Sequence, residues 1–136
     1  MFTTIVCGVS RGETARVAAD AARRLAQQFN ATLHLVSAFP GSSEPTRTAH
    51  SGDAPGRVEA EAFLEQFAAQ GGLQPIVTHA LPGDPSSAIL RVADEVGGDL
   101  IVVGNKGMRG IHRVLGSVPN SIAHQASCAV LIVNTT

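Results

Sequence analysis

Aromatic side chains are scarce in this chain of 136 residues, which has five phenylalanines and no tryptophan or tyrosine. Proteins that bind single-stranded nucleic acid stack the bases on aromatic side chains, and those platforms are missing here. Basic residues are not in excess either, since ten lysines and arginines stand against eleven acidic residues. Binding to duplex nucleic acid normally needs a basic surplus on one face. We therefore expect no nucleic-acid partner.

Cysteines and long apolar runs are also few. Cys7 and Cys128 each lie in an apolar run and form no CxxC pair, so we expect buried, reduced thiols. No apolar run approaches the roughly 20 residues of a bilayer-spanning helix. The N-terminus shows no basic segment followed by a long apolar stretch, as a secretory leader would. The sequence thus predicts no membrane association and a cytoplasmic location.

What the chain does have is an alternation of apolar runs and helix-period segments, which is typical of βαβ units around a parallel sheet. Its length suits one domain, residues 1–136. The pattern predicts a flavodoxin-like, doubly wound α/β fold with four helices and the strand order 3-2-1-4-5. The predicted strands are Thr3–Val9, Thr32–Phe39, Pro75–Leu81, Asp99–Val103 and Ala129–Val133, and the predicted helices are Glu13–Phe29, Gly56–Gln70, Pro85–Val96 and Val118–Ala126.

Several residues mark the ends and faces of these elements. Asp84 followed by Pro85 is predicted to cap a helix, and Asp99 to hold the turn before the fourth strand. The stretch Pro40–Pro55 is rich in Gly, Ser, Pro and Thr and is interpreted as a mobile surface loop. The residues predicted to face inward from the first two helices are Val17, Ala18, Ala21, Ala22, Leu25, Phe29, Val58, Ala62, Phe63, Leu64 and Phe67.

The segment Gly104–Asn120, GNKGMRGIHRVLGSVPN, carries the chemistry. It leaves strand 4 where the strand order reverses, which is where ligands bind such sheets. Its glycines let the backbone approach a ligand, and the helix that follows offers unpaired N–H groups to an anion. Lys106, Arg109 and Arg113 add positive charge. The segment is neither a P-loop nor a dinucleotide fingerprint, so the residues alone leave open a phosphate site or a plain turn.

The runs DLIVVGNKG and RVLGSVPNSIAHQASCAVLIV closely resemble the C-terminal motif of the universal stress protein family. The resemblance extends through PGDPSSAILRVADEVGGD to the N-terminal strand and helix, and spans nearly the whole chain apart from the loop after strand 2. It implies a stress-response regulator that binds an adenine nucleotide, ATP first and cyclic AMP second, with Mg²⁺ accompanying ATP. It implies no metal site made by protein alone and no enzyme beyond slow, incidental ATP hydrolysis.

The resemblance also assigns residues, with two departures from the family pattern. Nucleotide-binding members have Gly-x-x-Gly, nine residues, then Gly-Ser or Gly-Thr, whereas eight residues separate Gly107 from Gly116 here. Ser10 stands where relatives have an aspartate that contacts the adenosine, and Ser37 and Ala38 would lie beside the base. The nucleotide-binding residues that the resemblance implies are Gly8, Val9, Ser10, Ser37, Val103, Gly104, Asn105, Lys106, Gly107, Arg109, Gly116, Ser117 and Val118.

The five histidines, His34, His50, His79, His112 and His124, stand on five different elements. None has the i, i+4 or HxH spacing of a metal-binding pair, so no metal site is predicted. His34 is interpreted as structural, and His112 as a loop residue that either faces solvent or touches a phosphate. No Ser/His/Asp or Cys/His set with a shared location emerges, so no catalytic residue is predicted.

The last strand, Ala129–Val133, is apolar on both faces and lies at the edge of the predicted sheet. A bare edge pairs readily with another chain, and the resemblance implies dimerisation through this strand, so we expect a homodimer. The alternative function is a dimeric interaction module of the same family that binds no nucleotide. A related enzyme of the ATP-pyrophosphatase type would need a Ser-Gly-Gly-x-Asp-Ser run after strand 1, which the chain lacks.

Overall fold

Five parallel strands form one sheet in the computed structural model, which describes residues 1–9, 13–41, 56–70, 74–106 and 115–135. The strand order is β3-β2-β1-β4-β5, with four helices, so the predicted fold class and order are confirmed. Along the chain the elements are β1 (Thr4–Gly8), α1 (Glu13–Phe29), β2 (Thr32–Phe39), α2 (Arg57–Ala69), β3 (Ile76–Pro82), α3 (Pro85–Val96), β4 (Leu100–Asn105), α4 (Ser117–Gln125) and β5 (Ala129–Asn134).

The three central strands carry mostly apolar side chains on both faces because helices cover the sheet on each side. On one face, Ile5, Leu33 and Leu35 pack with the alanines of α1 and with Leu64 of α2. The opposite face of the sheet packs against α3 and α4 through a second cluster of buried residues, which comprises Val6, Val36, Ala88, Ile89, Val92, Ala93, Ile101, Val103 and Ile122. Two cores thus fix the sheet between two helical layers.

Three residues predicted to face inward point outward instead. Val17 is 44% exposed and Val58 is 60% exposed, and Ala62 is exposed as well. The predictions were wrong because these positions lie off the buried stripe. Val17 is roughly 140° around the helix from the fully buried Ala22, and Val58 is roughly 120° from Leu64. The stripe of α1 runs instead through the alanines Ala18, Ala19, Ala22 and Ala26.

The predicted cap of α3 is confirmed, since the Ser87 amide donates a hydrogen bond of 3.0 Å to Asp84 Oδ2 and Pro85 occupies the first turn. Most of the predicted loop Pro40–Pro55 lies outside the described residues. Over the part of the chain that the structure describes, no helix has both the length and the apolar character to cross a membrane.

Asp99 joins β4 to β1 at the amino end of the sheet, as a residue that holds this turn should. Its Oδ2 accepts hydrogen bonds from the Thr3 amide at 2.9 Å and the Thr3 hydroxyl at 3.2 Å, and its Oδ1 accepts one from the Thr4 amide at 3.1 Å. Burial raises the pKa of this carboxyl, but the bonds from Thr3 and Thr4 outweigh burial and leave the pKa below its usual value. The charged form is therefore the one that fits the fold.

The lowered pKa predicts a pH-dependent contribution of Asp99 to stability. A carboxyl with a depressed pKa in the folded state stabilises the protein above the unfolded pKa of about 3.9, and loses that effect as pH falls below it. Asp99→Ala should lower the free energy of unfolding by about 1–2 kcal/mol at pH 7, and by less near pH 3. Urea unfolding across this range measures the difference. Asp20→Ala, at an exposed position of α1, is the control, and equal losses in both variants would contradict the role of Asp99.

Candidate functional site

A cavity of about 370 Å³ opens beyond the carboxyl ends of β1 and β4, where the strand order reverses. Strands, two helix starts and the segment after β5 all contribute to its wall. The lining residues are Gly8, Val9, Ala18, Val36, Ala38, Pro85, Ile89, Val103, Gly104, Asn105, Lys106, Gly116, Ser117, Val118, Pro119 and Thr135. The volume lies within the range of small-molecule sites, roughly 300–1,000 Å³, at its lower end.

Gly8 keeps the inner part of this cavity free of side-chain bulk. It ends β1 directly opposite α3, and a Cβ atom at this position would overlap Ile89 Cδ1 and lie 3.7 Å from Val103 Cγ1. Glycine therefore lets α3 approach the sheet while the strand end stays open. Any larger residue would have to displace Ile89, a buried residue of the core between α3 and the sheet.

Asn105 organises the outer wall of the cavity. It ends β4, is only 4% exposed, and its Oδ1 accepts a hydrogen bond of 2.8 Å from the Gly116 amide. Its carbonyl oxygen accepts a second bond, of 3.1 Å, from the Thr135 amide. A Cβ at Gly116 would stand 3.2 Å from Asn105 Oδ1, tighter than most real contacts, so glycine suits this close approach. Asn105 thus fixes the start of α4 through its side chain and the chain after β5 through its backbone carbonyl.

Two helices, α3 and α4, begin at the cavity, and they differ in whether a side chain of the protein already caps their first backbone amides. At α3 the Asp84 carboxylate already accepts from the Ser87 amide, so this helix start is capped by an anionic group of the chain. At α4 the N-cap is Gly116, which has no side-chain oxygen with which to cap. The first turn of α4, at Ser117 and Val118, is consequently the better place for an anion from outside the chain.

The charge of the wall agrees with such an anion. Lys106 is exposed and follows Asn105 directly, and it is the only charged side chain among the described residues that line the cavity. Val36, Ile89 and Val103 supply buried apolar surface. The cavity therefore combines an apolar wall with a lysine and a helix start, which suits a ligand with an apolar ring and a negative group.

Nine of the residues assigned from the sequence line this cavity together: Gly8, Val9, Val103, Gly104, Asn105, Lys106, Gly116, Ser117 and Val118. Ser37 does not join them. Its neighbours Val36 and Ala38 do, and since side chains alternate along a strand, Ser37 points to the other face of the sheet. Ser10, Gly107 and Arg109 lie outside the described residues, as do Arg113 and His112.

The sequence interpretation missed several lining residues, namely Ala18, Val36, Pro85, Ile89, Pro119 and Thr135. Strand alternation would have indicated Val36, because it shares a face with Ala38. The position of Pro85 in the first turn of a helix that follows a strand was a second available signal. No signal in the sequence indicated Thr135, because only the register of β5 beside β4 brings this residue to Asn105.

Neither Cys7 nor Cys128 has the low thiol pKa of a reactive nucleophile. Cys7 is fully buried, as predicted, and burial raises its pKa to about 12. Cys128 is half-buried rather than buried, which corrects the prediction, because β5 is an edge strand and its flanking turn stays partly open. Burial, and then the charges of Asp99 and Asp94, raise its pKa as well. Both groups are thiols at neutral pH, which makes them poor nucleophiles.

The described residues contain no group of three or more His, Cys, Asp or Glu side chains that could hold a metal ion.

Comparison with known proteins decides the family. The model of the universal stress protein family matches residues 1–134. The chain belongs to that family. This universal stress protein is 32% identical over 145 aligned residues to universal stress protein Rv1636 of Mycobacterium tuberculosis strain H37Rv, covering 99% of this chain and 98% of the relative. It is 30% identical to universal stress protein A homolog 1 of Coxiella burnetii, covering 97% and 96%.

A solved structure is similar to this universal stress protein over almost the same length. It is the crystal structure of a universal stress protein in complex with cAMP, with a TM-score of 0.77 and 32% identity, covering 99% of this chain and 98% of the other. A protein from Archaeoglobus fulgidus solved in complex with dAMP has a TM-score of 0.71 but 21% identity, which supports the fold alone.

The contacts of Asn105 predict that its side chain is needed for stability. Asn105→Ala removes the acceptor of the Gly116 amide at a buried position and should lower the free energy of unfolding by about 1–3 kcal/mol. Urea unfolding at pH 7 measures this loss. Asn120→Ala provides the matched control, because Asn120 is an exposed asparagine in α4 and its removal should change stability by less than about 0.5 kcal/mol. Similar losses in the two variants would show that the Asn105 bond is unimportant.

Proposed function

We propose that this universal stress protein binds an adenine nucleotide in the cavity between β1 and β4, and that the bound nucleotide regulates it. The start of α4 carries the proposal, because its N-cap is a glycine and it lies beside Lys106 in a cavity of ligand size. The phosphate would accept hydrogen bonds from the first amides of α4, and its charge would lie near the lysine. The apolar wall, with Val36, Ile89 and Val103, would cover the base.

Cyclic AMP is the first candidate and ATP the second, which reverses the order that the sequence resemblance implied. The relative solved with cAMP is 32% identical to this chain over nearly its full length, and that similarity supports a cyclic monophosphate as the ligand here. A cavity at the lower end of the size range for ligand sites also favours the smaller nucleotide. Among the described lining residues no side chain is a carboxylate, so a Mg²⁺ ion arriving with ATP would be held by the phosphates rather than by these residues.

Regulation rather than catalysis is the role we propose for the bound nucleotide. Universal stress proteins are generally regulatory proteins rather than enzymes. Hydrolysis would need a group positioned to activate water. In the described wall the ionisable side chain is Lys106, whose positive charge suits binding of phosphate rather than abstraction of a proton. Any ATP hydrolysis should therefore be slow.

Isothermal titration calorimetry with cAMP, ATP and adenosine tests this site directly. We expect heat of binding from cAMP and weaker binding of adenosine, which lacks the phosphate. Lys106→Gln should weaken cAMP binding by about 10-fold, the effect of losing one charge-assisted contact. Arg24→Gln removes one positive charge at an exposed position of α1, away from the cavity, and should leave the affinity unchanged. Absence of heat with both nucleotides would overturn the proposal and favour the alternative, an interaction module that binds no nucleotide.

We also propose that the protein forms a homodimer through β5. This strand ends the sheet beyond β4, while α1 and α4 contact it from the two sides of the sheet. Its outer edge therefore remains available to pair with a second copy. Leu131, which is 38% exposed, would be covered in such a dimer.

The dimer predicts a change of mass when a charge is placed on β5. Wild-type protein should show the mass of a dimer by light scattering at micromolar concentration, and Leu131→Lys should shift it towards the monomer. Val77→Lys is the matched control, because Val77 lies on β3 at the opposite edge and is 41% exposed. A monomer mass for the wild type, or equal effects of both substitutions, would count against pairing through β5.

A further inference from the structure

Two histidines that are far apart in the sequence meet on neighbouring strands. His34 lies in β2 and His79 in β3, and their side chains approach with 3.0 Å between His34 Nδ1 and His79 Nε2. The ring centroids are 5.2 Å apart, with 30° between the ring planes. The pairing register explains the meeting, since His79 lies opposite Val36 and His34 lies opposite Val77. Both imidazoles therefore project from the same face of the sheet, two residues apart along it.

The surroundings of the pair are mostly apolar. His34 is buried, His79 is half-buried, and Val6 of β1, which lies opposite His34, is fully buried. The helix packed on this face is α3, which brings Glu95 towards His79. Glu95 is itself paired with Arg91, 3.0 Å away. Within the described residues, the charges that act on the pair are therefore those of the two imidazoles and of Glu95.

The number of protons on the pair decides whether the contact can exist. When both rings are neutral, one facing nitrogen donates and the other accepts, so a 3.0 Å hydrogen bond forms. With one added proton, a charged ring can still donate to a neutral one. With two added protons, both rings are positively charged and both facing nitrogens carry a hydrogen. Neither nitrogen can then accept, and the like charges repel, so the rings must separate. The second proton is incompatible with the structure as it stands.

We propose that His34 and His79 form a pH-sensitive contact that holds the edge strand β3 on β2 near neutral pH and opens in mild acid. Among the strands that the structure describes, edge strand β3 pairs with β2 alone, so loss of this contact weakens its hold on the sheet. The opening does not depend on a nucleotide. Because β2 continues from His34 to Val36 and Ala38 in the cavity wall, acid would act close to that wall.

The direction of the effect follows from where protons bind. Burial lowers the pKa of His34, and the neighbouring His79 lowers it further. Burial also lowers the pKa of His79, although the charge of Glu95 opposes that shift. The unfolded chain, with histidine pKa values of about 6.5, therefore binds more protons below that pH than the folded protein does. The stabilisation is complete above about pH 6.5 and is lost as the pH falls below it.

The size of the effect can be measured by urea unfolding at pH 7.5 and pH 5.5. For each histidine that stays neutral in the folded state, the folding equilibrium constant should fall about 10-fold over this interval, and so up to about 100-fold for the pair. His79→Gln keeps a polar side chain that cannot be charged. Between the two pH values, the folding equilibrium constant of this variant should therefore fall about 10-fold less than that of the wild type. His124→Gln replaces an exposed histidine of α4, and its folding equilibrium constant should fall as far as that of the wild type. Equal losses in wild type and His79→Gln would overturn the proposal.

Nuclear magnetic resonance of the wild-type protein provides a readout that needs no variant to fold. The imidazole signals of His34 and His79 should titrate below the pH of about 6.5 at which an unperturbed histidine titrates. In hydrogen exchange, amides of β3 should lose protection between pH 7.5 and 5.5 relative to those of β4, after correction for the intrinsic rates. If the pair titrates at or above about pH 6.5, or if β3 and β4 lose protection equally, the contact is not a pH-sensitive one.

Discussion

The reversal of strand order between β1 and β4 is the constraint on which the rest of this structure depends. β1 pairs with β2 on one side and β4 on the other, and all three run in the same direction. The chain that leaves β1 enters α1 on one face of the sheet, whereas the chain that leaves β4 enters α4 on the other. The two connections must separate at the carboxyl ends of the strands, and the separation leaves a cavity. The cavity is thus a consequence of topology before any side chain is chosen.

The side chains then decide what this cavity can hold. Gly8 keeps the end of β1 open beneath α3. Asn105 holds the start of α4 and the chain after β5 through two hydrogen bonds, so the wall is positioned by a buried polar group with defined partners. Asp84 caps α3 and leaves α4, capped by a glycine, as the helix start that suits a phosphate. These choices give the proposed nucleotide site a physical basis.

Edges and buried titratable groups distinguish the two ends of the sheet. At one end β5 presents an edge suited to a second copy of the chain, with Leu131 partly exposed. At the other end β3 pairs with β2 alone among the described strands, and the contact between His34 and His79 joins the two strands. The first end suits assembly, and the second suits a response to acid. Both lie outside the cavity at the carboxyl ends of β1 and β4, yet β2 and β4 connect each of them to its wall.

The sequence by itself determined the order of elements, the parallel sheet and the place of the cavity, because hydrophobic periodicity and strand–helix alternation are local signals. It also indicated Asp84 as a cap and Gly104, Asn105, Lys106, Gly116 and Ser117 as part of the wall, since these roles depend on near neighbours in the chain. Only the tertiary structure decided which face Val17 and Ser37 occupy, that Thr135 reaches Asn105, and that His34 meets His79. Those facts depend on helix rotation and strand register, which are set by packing between segments distant in the sequence.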